Sequence, residues 1–446
     1  MTIFEFDTLG TTRFLLPGDE GYESASTVSV RTGSPAVVAQ PVNSAEVAAA
    51  VRFADDNRLT LSVRCGGHSG SGHSTNDGGL VIDLSLMNEM SVADDSLVSI
   101  GGGATWGAVA DFLRPYDLAI SSGDTKSVGV GGLTLGGGIG WMVREYGLAL
   151  DQLVEAEVVT AAGDVVTASE TQNGDLFWAL RGGGGNFGVV TRFTFRAHDL
   201  AGIHSGSLVF GDTDLAALLK GWRDVMRAAP EKLNTTFLAM PAFGEEAPGG
   251  VTVLVGYAGA DHDEATAAIA PLLELDGVLM NTIERTAYSE LLTEPMHPPE
   301  GIRVANNNGF AADFGDEVID ALALAYAALP GSVLMVRYLR GAFNRVAPDA
   351  TAFAFRDSET LVISAAFFPE DAPEAAADAY QAQWNTLLPH LQGIYGNFSA
   401  LTSDLATPQM YPPQTLARLA RIKAQYDPGN LFDQNHNILP AGADWR

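Results

Sequence analysis

Apolar residues recur along this chain in two distinct rhythms. Over 41–57, PVNSAEVAAAVRFADDN, the three-to-four residue spacing of Val47, Val51 and Ala54 predicts a helix, with Asn43 placed to cap it and Glu46 three residues later. Around it, LTLSVR, GLVIDL, SLVSIGG and VEAEVVTAAGDVVTA are short, β-branched and bounded by Gly, Asp or Asn, which predicts strands, with TWGAVADFLRPY a helix between two of them. Near residue 200 the texture changes. Strand-like GSLVFG, NTTFLAM, VTVLVGY, SVLMVRYLRG and TLVISAAFF now alternate with helical DTDLAALLKGWRDVM, DEVIDALALAYAAL and APEAAADAYQAQWNTLL. That alternation predicts a second, α+β unit whose sheet carries helices on one face and leaves the other for a ligand. The units divide as 1–200, 201–404 and 405–446, the last being a helix stopped by Asp427-Pro428-Gly429 and then an extended run.

Composition narrows the function classes. Apolar residues make up 46% of 446 and charged residues 18%, so the chain folds around large cores and is neither disordered nor a coiled coil. Twenty-five basic against 54 acidic residues give a net charge of −29, which disfavours nucleic-acid and anionic-membrane partners. A single cysteine, Cys65, excludes a disulfide framework and any multi-cysteine metal centre. The acidic start MTIFEFD and the lack of a long apolar run predict a soluble, cytoplasmic protein, and nothing in the pattern specifies an oligomeric state.

Four glycine-rich stretches crowd the first 200 residues: RCGGHSGSGH at 64–73, GGG at 101–103, SVGVGGLTLGGGIGW at 127–141 and RGGGGNFGVV at 181–190. Such stretches expose backbone N–H groups to an anion and let a flat ring approach closely, so they point to a large phosphate-bearing cofactor. The strand–glycine–helix unit of nicotinamide-binding folds is not convincingly present, and no GxxxxGK[ST] loop occurs. His68, within RCGGHSG, is either a nucleophile or ligand facing whatever the loop cradles, or a histidine hydrogen-bonded within its turn. No cluster at metal spacing lies near it, and no metal is predicted.

Taken in order, RCGGHSGSGHSTNDGGLVIDLSLMN, GDTKSVGVGGLTLGGGIGWMVREYGLALDQL, DLFWALRGGGGNFGVVT and YDPGNLFDQNHNILP resemble the berberine bridge enzyme-like oxidoreductases of the vanillyl-alcohol oxidase and p-cresol methylhydroxylase superfamily. The likeness is strongest over 36–195 and 335–440. It implies a two-domain α+β fold in which both chain ends build the FAD domain and 201–404 forms a substrate domain on an antiparallel sheet. In that family the histidine of the GGH loop is bonded to the flavin 8α-methyl, which places the bond on His68. A second bond, from a cysteine in GxCxxVG, has no counterpart, since Thr125 stands there in GDTKSVG. One covalent link to FAD is therefore implied.

The same resemblance assigns Arg64, Gly66, Gly67, Ser69 and Gly72 to the cofactor loop, with His73 a hydrogen-bonding member rather than a second attachment point. Gly129, Gly132, Gly136 and Gly138 line the pyrophosphate side, Gly188 and Val190 border the adenine, and Asn435 and Asn437 lie near the flavin ring. Val128 either leaves room for dioxygen beside flavin C4a or simply packs beneath the ring. On the substrate side, Tyr395 in GIYGNF is the base expected, its phenol lowered in pKa by a neighbouring cation. Tyr338 and Arg340, two apart on one strand, share a face and either could meet substrate. Arg356 either orients a substrate anion or pairs structurally. The activity implied is that of an oxidase taking hydride from a C–H beside an alcohol or amine of a small molecule and passing electrons to dioxygen. The alternatives are a dehydrogenase with another acceptor and a non-catalytic flavin-binding protein.

Overall fold

A computed structural model describes residues 12–241, 249–294, 301–329, 331–402 and 406–443. The N-terminal MTIFEFD and the boundary read at 404/405 lie outside the described residues.

Asn43 does cap the first long helix, α1 (Ser44–Asp56): its Oδ1 accepts the Glu46 N–H at 2.9 Å, while Glu46 Oε2 accepts the Val42 N–H at 3.0 Å. The buried face of α1, Val47, Ala50, Val51 and Ala54, packs on a small sheet holding β1 (Val37–Gln40), β2 (Leu61–Arg64) and β3 (Leu80–Asp83), in which β1 and β2 both pair parallel with β3. Beside it stands an antiparallel five-stranded sheet that includes β4 (Leu97–Gly101), β5 (Leu153–Val159), β6 (Val165–Ser169) and β7 (Val189–Arg196), in spatial order β6-β5-β7-β4. Helix α2 (Trp106–Leu113) and a short glycine-rich helix, α3 (Val130–Gly136), bury Trp106, Leu113 and Val130 in the core on that sheet.

The largest sheet has eight strands, all antiparallel. Its backbone is β8 (Ile203–Phe210), β9 (Leu233–Met240), β10 (Gly250–Tyr257), β11 (Ile302–Ala311), β12 (Ser332–Tyr338) and β13 (Thr360–Pro369), ordered β8-β10-β9-β12-β13-β11. Helices α4 (Leu215–Ala228), α5 (His262–Leu273), α6 (Asp316–Ala328) and α7 (Glu374–Asn385) all cover one face. Trp222, Met226, Leu272, Ile319 and Trp384 meet Phe237, Val255, Val336 and Val362 there. Each such side chain contributes about 1.5–3 kcal/mol through burial, which fixes the face the helices take. The opposite face turns toward the first sheets. Arg144 locks the two parts together, its buried guanidinium donating to the carbonyls of Ala229 (3.1 Å), Pro230 (3.2 Å) and Arg340 (2.8 Å) and so satisfying the C-terminal end of α4.

The chain then returns. Helix α8 (Pro413–Tyr426) and the run after it place Leu419, Ile422 and Ile438 in the same core as β4, β5 and β7, with Met410 and Tyr411 beside them. Lys423 and Asp427, both fully buried, pair at 2.6 Å. Lys423 Nζ also donates to the Asn186 and Phe432 carbonyls at 2.8 and 3.2 Å, and Asp427 accepts the N–H groups of Leu431 and Phe432. A charge pair so deeply placed is tolerated because every polar atom of it is hydrogen-bonded.

Candidate active site

The glycine stretches converge on one cavity of about 390 Å³. Its wall takes Cys65–Gly70 after β2, Val128–Gly136 around α3, Gly182–Asn186 ahead of β7, and Gln434–His436 from the returning chain. One stretch is aliphatic, with Leu61, Val63, Leu84, Val189 and Val190, while another is aromatic, with Phe353, Phe355, Tyr395 and Phe398. Two loops cross so closely that neither can carry a side chain. A Cβ on Gly66 would lie 2.4 Å from Gly129 N, and one on Gly129 would lie 2.2 Å from Cys65 Sγ.

Of the residues the sequence singled out, fourteen stand on this wall: Gly66, Gly67, His68, Ser69, His73, Thr125, Val128, Gly129, Gly132, Gly136, Gly188, Val190, Tyr395 and Asn435. His68 Nε2 lies 2.9 Å from Ser127 Oγ. His73 packs edge-on against His436 at 5.2 Å. Burial holds both imidazoles below their usual range, His436 to about 4, with the neighbouring His73 adding to its shift. Burial likewise pushes the Cys65 thiol up to about 11, so it is not a thiolate.

Seven do not stand on the wall. Arg64 turns away to Asp83 (3.3 Å) and supports Gly67 from behind. Gly72, at φ +72°, closes its own turn by donating to the Ser69 carbonyl. Gly138 gives its N–H to Tyr395, and the Asn437 carbonyl accepts from Thr407. Tyr338 ends β12 on its helix-covered face, and Arg340 lies in the turn beyond the strand rather than on it. Tyr338 sits against Trp222 under the Arg144 guanidinium, its phenol pushed up to about 12 chiefly by burial, while Arg340 pairs with Glu359 at 3.3 Å. Arg337, the residue before Tyr338, points the other way, to Asp124 and to the Ile139 carbonyl. Arg356 takes the structural alternative: it is buried in a two-pronged pair with Asp151 (2.7 and 2.8 Å) and stacks on Phe353, 5.1 Å from the ring centre. It thereby steadies the strip carrying Phe353 and Phe355.

Tyr395 requires a correction of chemistry. Its hydroxyl oxygen receives three donors, Gly138 N (2.9 Å), Ile139 N (3.4 Å) and Asn397 Nδ2 (2.9 Å), and Asn397 also reaches the Leu133 carbonyl. Burial nonetheless raises the phenol, and these bonds together with the Arg337 charge only oppose that rise. A readily ionised phenol is not what this environment makes. Asn308 on β11 fixes the same turn through both its amide atoms, at 2.6 and 3.3 Å from the Tyr395 backbone.

Sequence reasoning missed Asp124, Asn397 and His436 on the wall and Arg337 behind it. Asn397 was legible as the third residue of the YGN turn, and Asp124 as the neighbour of Thr125. Arg337 and Lys423 left no such signal.

Among the described residues no three of His, Cys, Asp or Glu are placed to hold a metal, and no helix is long and apolar enough to cross a membrane. The cavity suits a dinucleotide that pairs flat rings with phosphates. Backbone replaces side chains along its middle, a Cβ on the wall residue Gly132 would meet nothing within 4 Å, and ring-accepting surfaces lie to either side.

Comparison with known proteins agrees. Residues 35–169 match the FAD binding domain family, and 394–439 match the berberine and berberine-like family. (R)-6-hydroxynicotine oxidase of Paenarthrobacter nicotinovorans is 31% identical over 454 residues, spanning 96% of this chain and 97% of that one. The crystal structure of 6-hydroxy-D-nicotine oxidase from Arthrobacter nicotinovorans matches with a TM-score of 0.86 at 28% identity, covering 97% and 99%. Glucooligosaccharide oxidase from Acremonium strictum, with 6-S-cysteinyl, 8α-N1-histidyl FAD, gives 0.85 at 26%, covering 98% and 99%. This chain belongs to the berberine bridge enzyme-like FAD-linked oxidoreductases. It is an oxidoreductase, and its cofactor is FAD.

Proposed function

We propose that the enzyme is an oxidase whose FAD is bonded once, through His68, and which passes electrons from a small alcohol or amine to dioxygen, giving hydrogen peroxide. The observation that carries this reading is the pairing on one wall of His68 with Thr125, a hydroxyl residue that cannot form the thioether its cysteinyl relative carries. When bound, FAD supplies a two-electron acceptor for hydride.

The protein's own residues do the rest. Ser127 orients the His68 imidazole through Nε2. Gly66, Gly67, Ser69, Gly129 and Gly132 give a side-chain-poor cradle for the pyrophosphate, and Val190 and Leu61 an apolar seat for the adenine. With FAD bound, Val128 would stand beside the ring, where a side chain of that size would leave room for a diatomic. Tyr395 is a positioning residue: its oxygen gathers the N–H groups of Gly138 and Asn397 and holds the aromatic turn against α3. Residues 1–200 and 405–446 then form the cofactor half and 201–404 the substrate half.

The test is acid precipitation followed by peptide mapping. Flavin remains on the polypeptide, its mass lies on the fragment with His68, and the fragment with Thr125 is unmodified. Complete release of FAD, or flavin on Thr125, overturns the single-link reading. Slow reoxidation of substrate-reduced enzyme in air assigns it instead to the dehydrogenases.

A further inference from the structure

Charge on the cavity wall is sparse and one-sided. Asp124 is the only carboxylate among the described wall residues, and no Lys or Arg stands there. His73 and His436 are held neutral at pH 7 by burial, and Cys65, Tyr395 and Tyr411 are all raised by it. Asp124 follows Gly123 on the cofactor loop, yet its side chain reaches toward the open face of the large sheet, where Arg337 of β12 takes Oδ2. Arg337 is itself nearly buried, pinned to the Ile139 carbonyl and lying 5.6 Å from the Phe398 ring centre, so it stays behind the wall. The other carboxylate oxygen, Oδ1, has only the Thr125 hydroxyl at 3.5 Å among the described contacts, too long for a strong bond. Phe355 and Phe398 stand on the same wall.

We propose that Asp124 is a specificity-determining residue that anchors a cationic donor: the substrate presents a protonated or hydrogen-bond-donating nitrogen to Oδ1, and carboxylate-bearing donors are rejected. This rests on the FAD-oxidase reading and narrows its alcohol-or-amine class to amines. Arg337 holds the anchor fixed, so little side-chain entropy is lost when the ligand arrives. A substrate anion at this end would face the Asp124 carboxylate with no basic side chain on the wall to offset it, in a protein of net charge −29.

The test uses three ligands of one shape, benzylamine, benzyl alcohol and benzoate, titrated anaerobically into the flavin-loaded enzyme while the flavin absorption band is followed. Binding tightens in the order benzoate, benzyl alcohol, benzylamine. Asp124→Asn weakens benzylamine on the order of 10- to 100-fold, the scale of one hydrogen bond to a charged group, and leaves benzyl alcohol within about threefold. Asp124→Glu retains the preference. Benzoate binding as tightly as benzylamine, an unchanged ratio in Asp124→Asn, or no band shift with any of the three overturns the proposal. The wild-type order stands as a test even if a variant does not fold. A purified protein without flavin is a different failure, of the cofactor reading, and shows before any ligand is added.

Discussion

Replacing Tyr395 by Phe removes one oxygen and leaves the ring where it is, which separates two roles a tyrosine at this place could have. The Gly138 N–H, at 2.9 Å, then has no described acceptor, the Ile139 N–H loses a longer contact, and Asn397 keeps only the Leu133 carbonyl. A buried donor left unmade costs about 1–3 kcal/mol, and the Gly138 N–H carries most of that here. Urea unfolding of the flavin-loaded variant therefore shows a lower midpoint at an unchanged slope. Anaerobic stopped-flow reduction with any accepted donor stays within about threefold of wild type, because a phenol raised by burial is not the group that takes the proton. Wild-type stability combined with reduction slower by on the order of 10²-fold or more would refute this and restore Tyr395 as general base.

Three further outcomes follow from the same geometry. His68→Ala leaves the glycine cradle intact, so the variant binds FAD but releases it on acid precipitation, measured as flavin in the supernatant. Lys423→Met strands the Asp427 carboxylate and frees the Asn186 and Phe432 carbonyls, at a cost of about 3–5 kcal/mol in denaturant unfolding and with lower flavin occupancy. His436 has a folded pKa of about 4 against an ordinary 6.5, so between those values the unfolded chain binds a proton that the folded one does not. Stability is full above pH 6.5 and falls by about 1.4 kcal/mol per unit as pH drops toward 4, and His436→Gln flattens that slope in unfolding curves taken from pH 7.5 to 4.5.

What the sequence made legible was local or rhythmic. The α1 cap, the glycine clusters and the strand–helix alternation rest on contacts within a few residues, and all are present in the fold. The face of β12 was not legible. SVLMVRYLRG is apolar at both parities, so the two-residue period joins Tyr338 to Arg340 without saying which side the helices cover, and the useful cation proved to be Arg337, one position away. Arg356 was undecidable for a related reason, since its partner Asp151 lies 205 positions distant. Partners so remote leave no periodic trace. The YGN turn was seen, but the acidity of its tyrosine depends on the donors and the burial that surround it, and only the folded chain supplies both.

Because the cavity wall is drawn from residues 61–190 and again from 353–436, the site has an order of assembly in time. A chain growing from its N-terminus exposes the glycine loops and His68 well before Asn435 and His436 exist. About 250 residues separate the last early wall residue from the last late one, on the order of 10 to 50 s of synthesis at common rates. For most of that interval the early loops lack the carbonyl clamp of Lys423 and the turn at Tyr395. Completion of the FAD site is thereby a late event, reserved for chains that have been completed and folded back, and a truncated chain holds His68 and the glycine loops without the later walls.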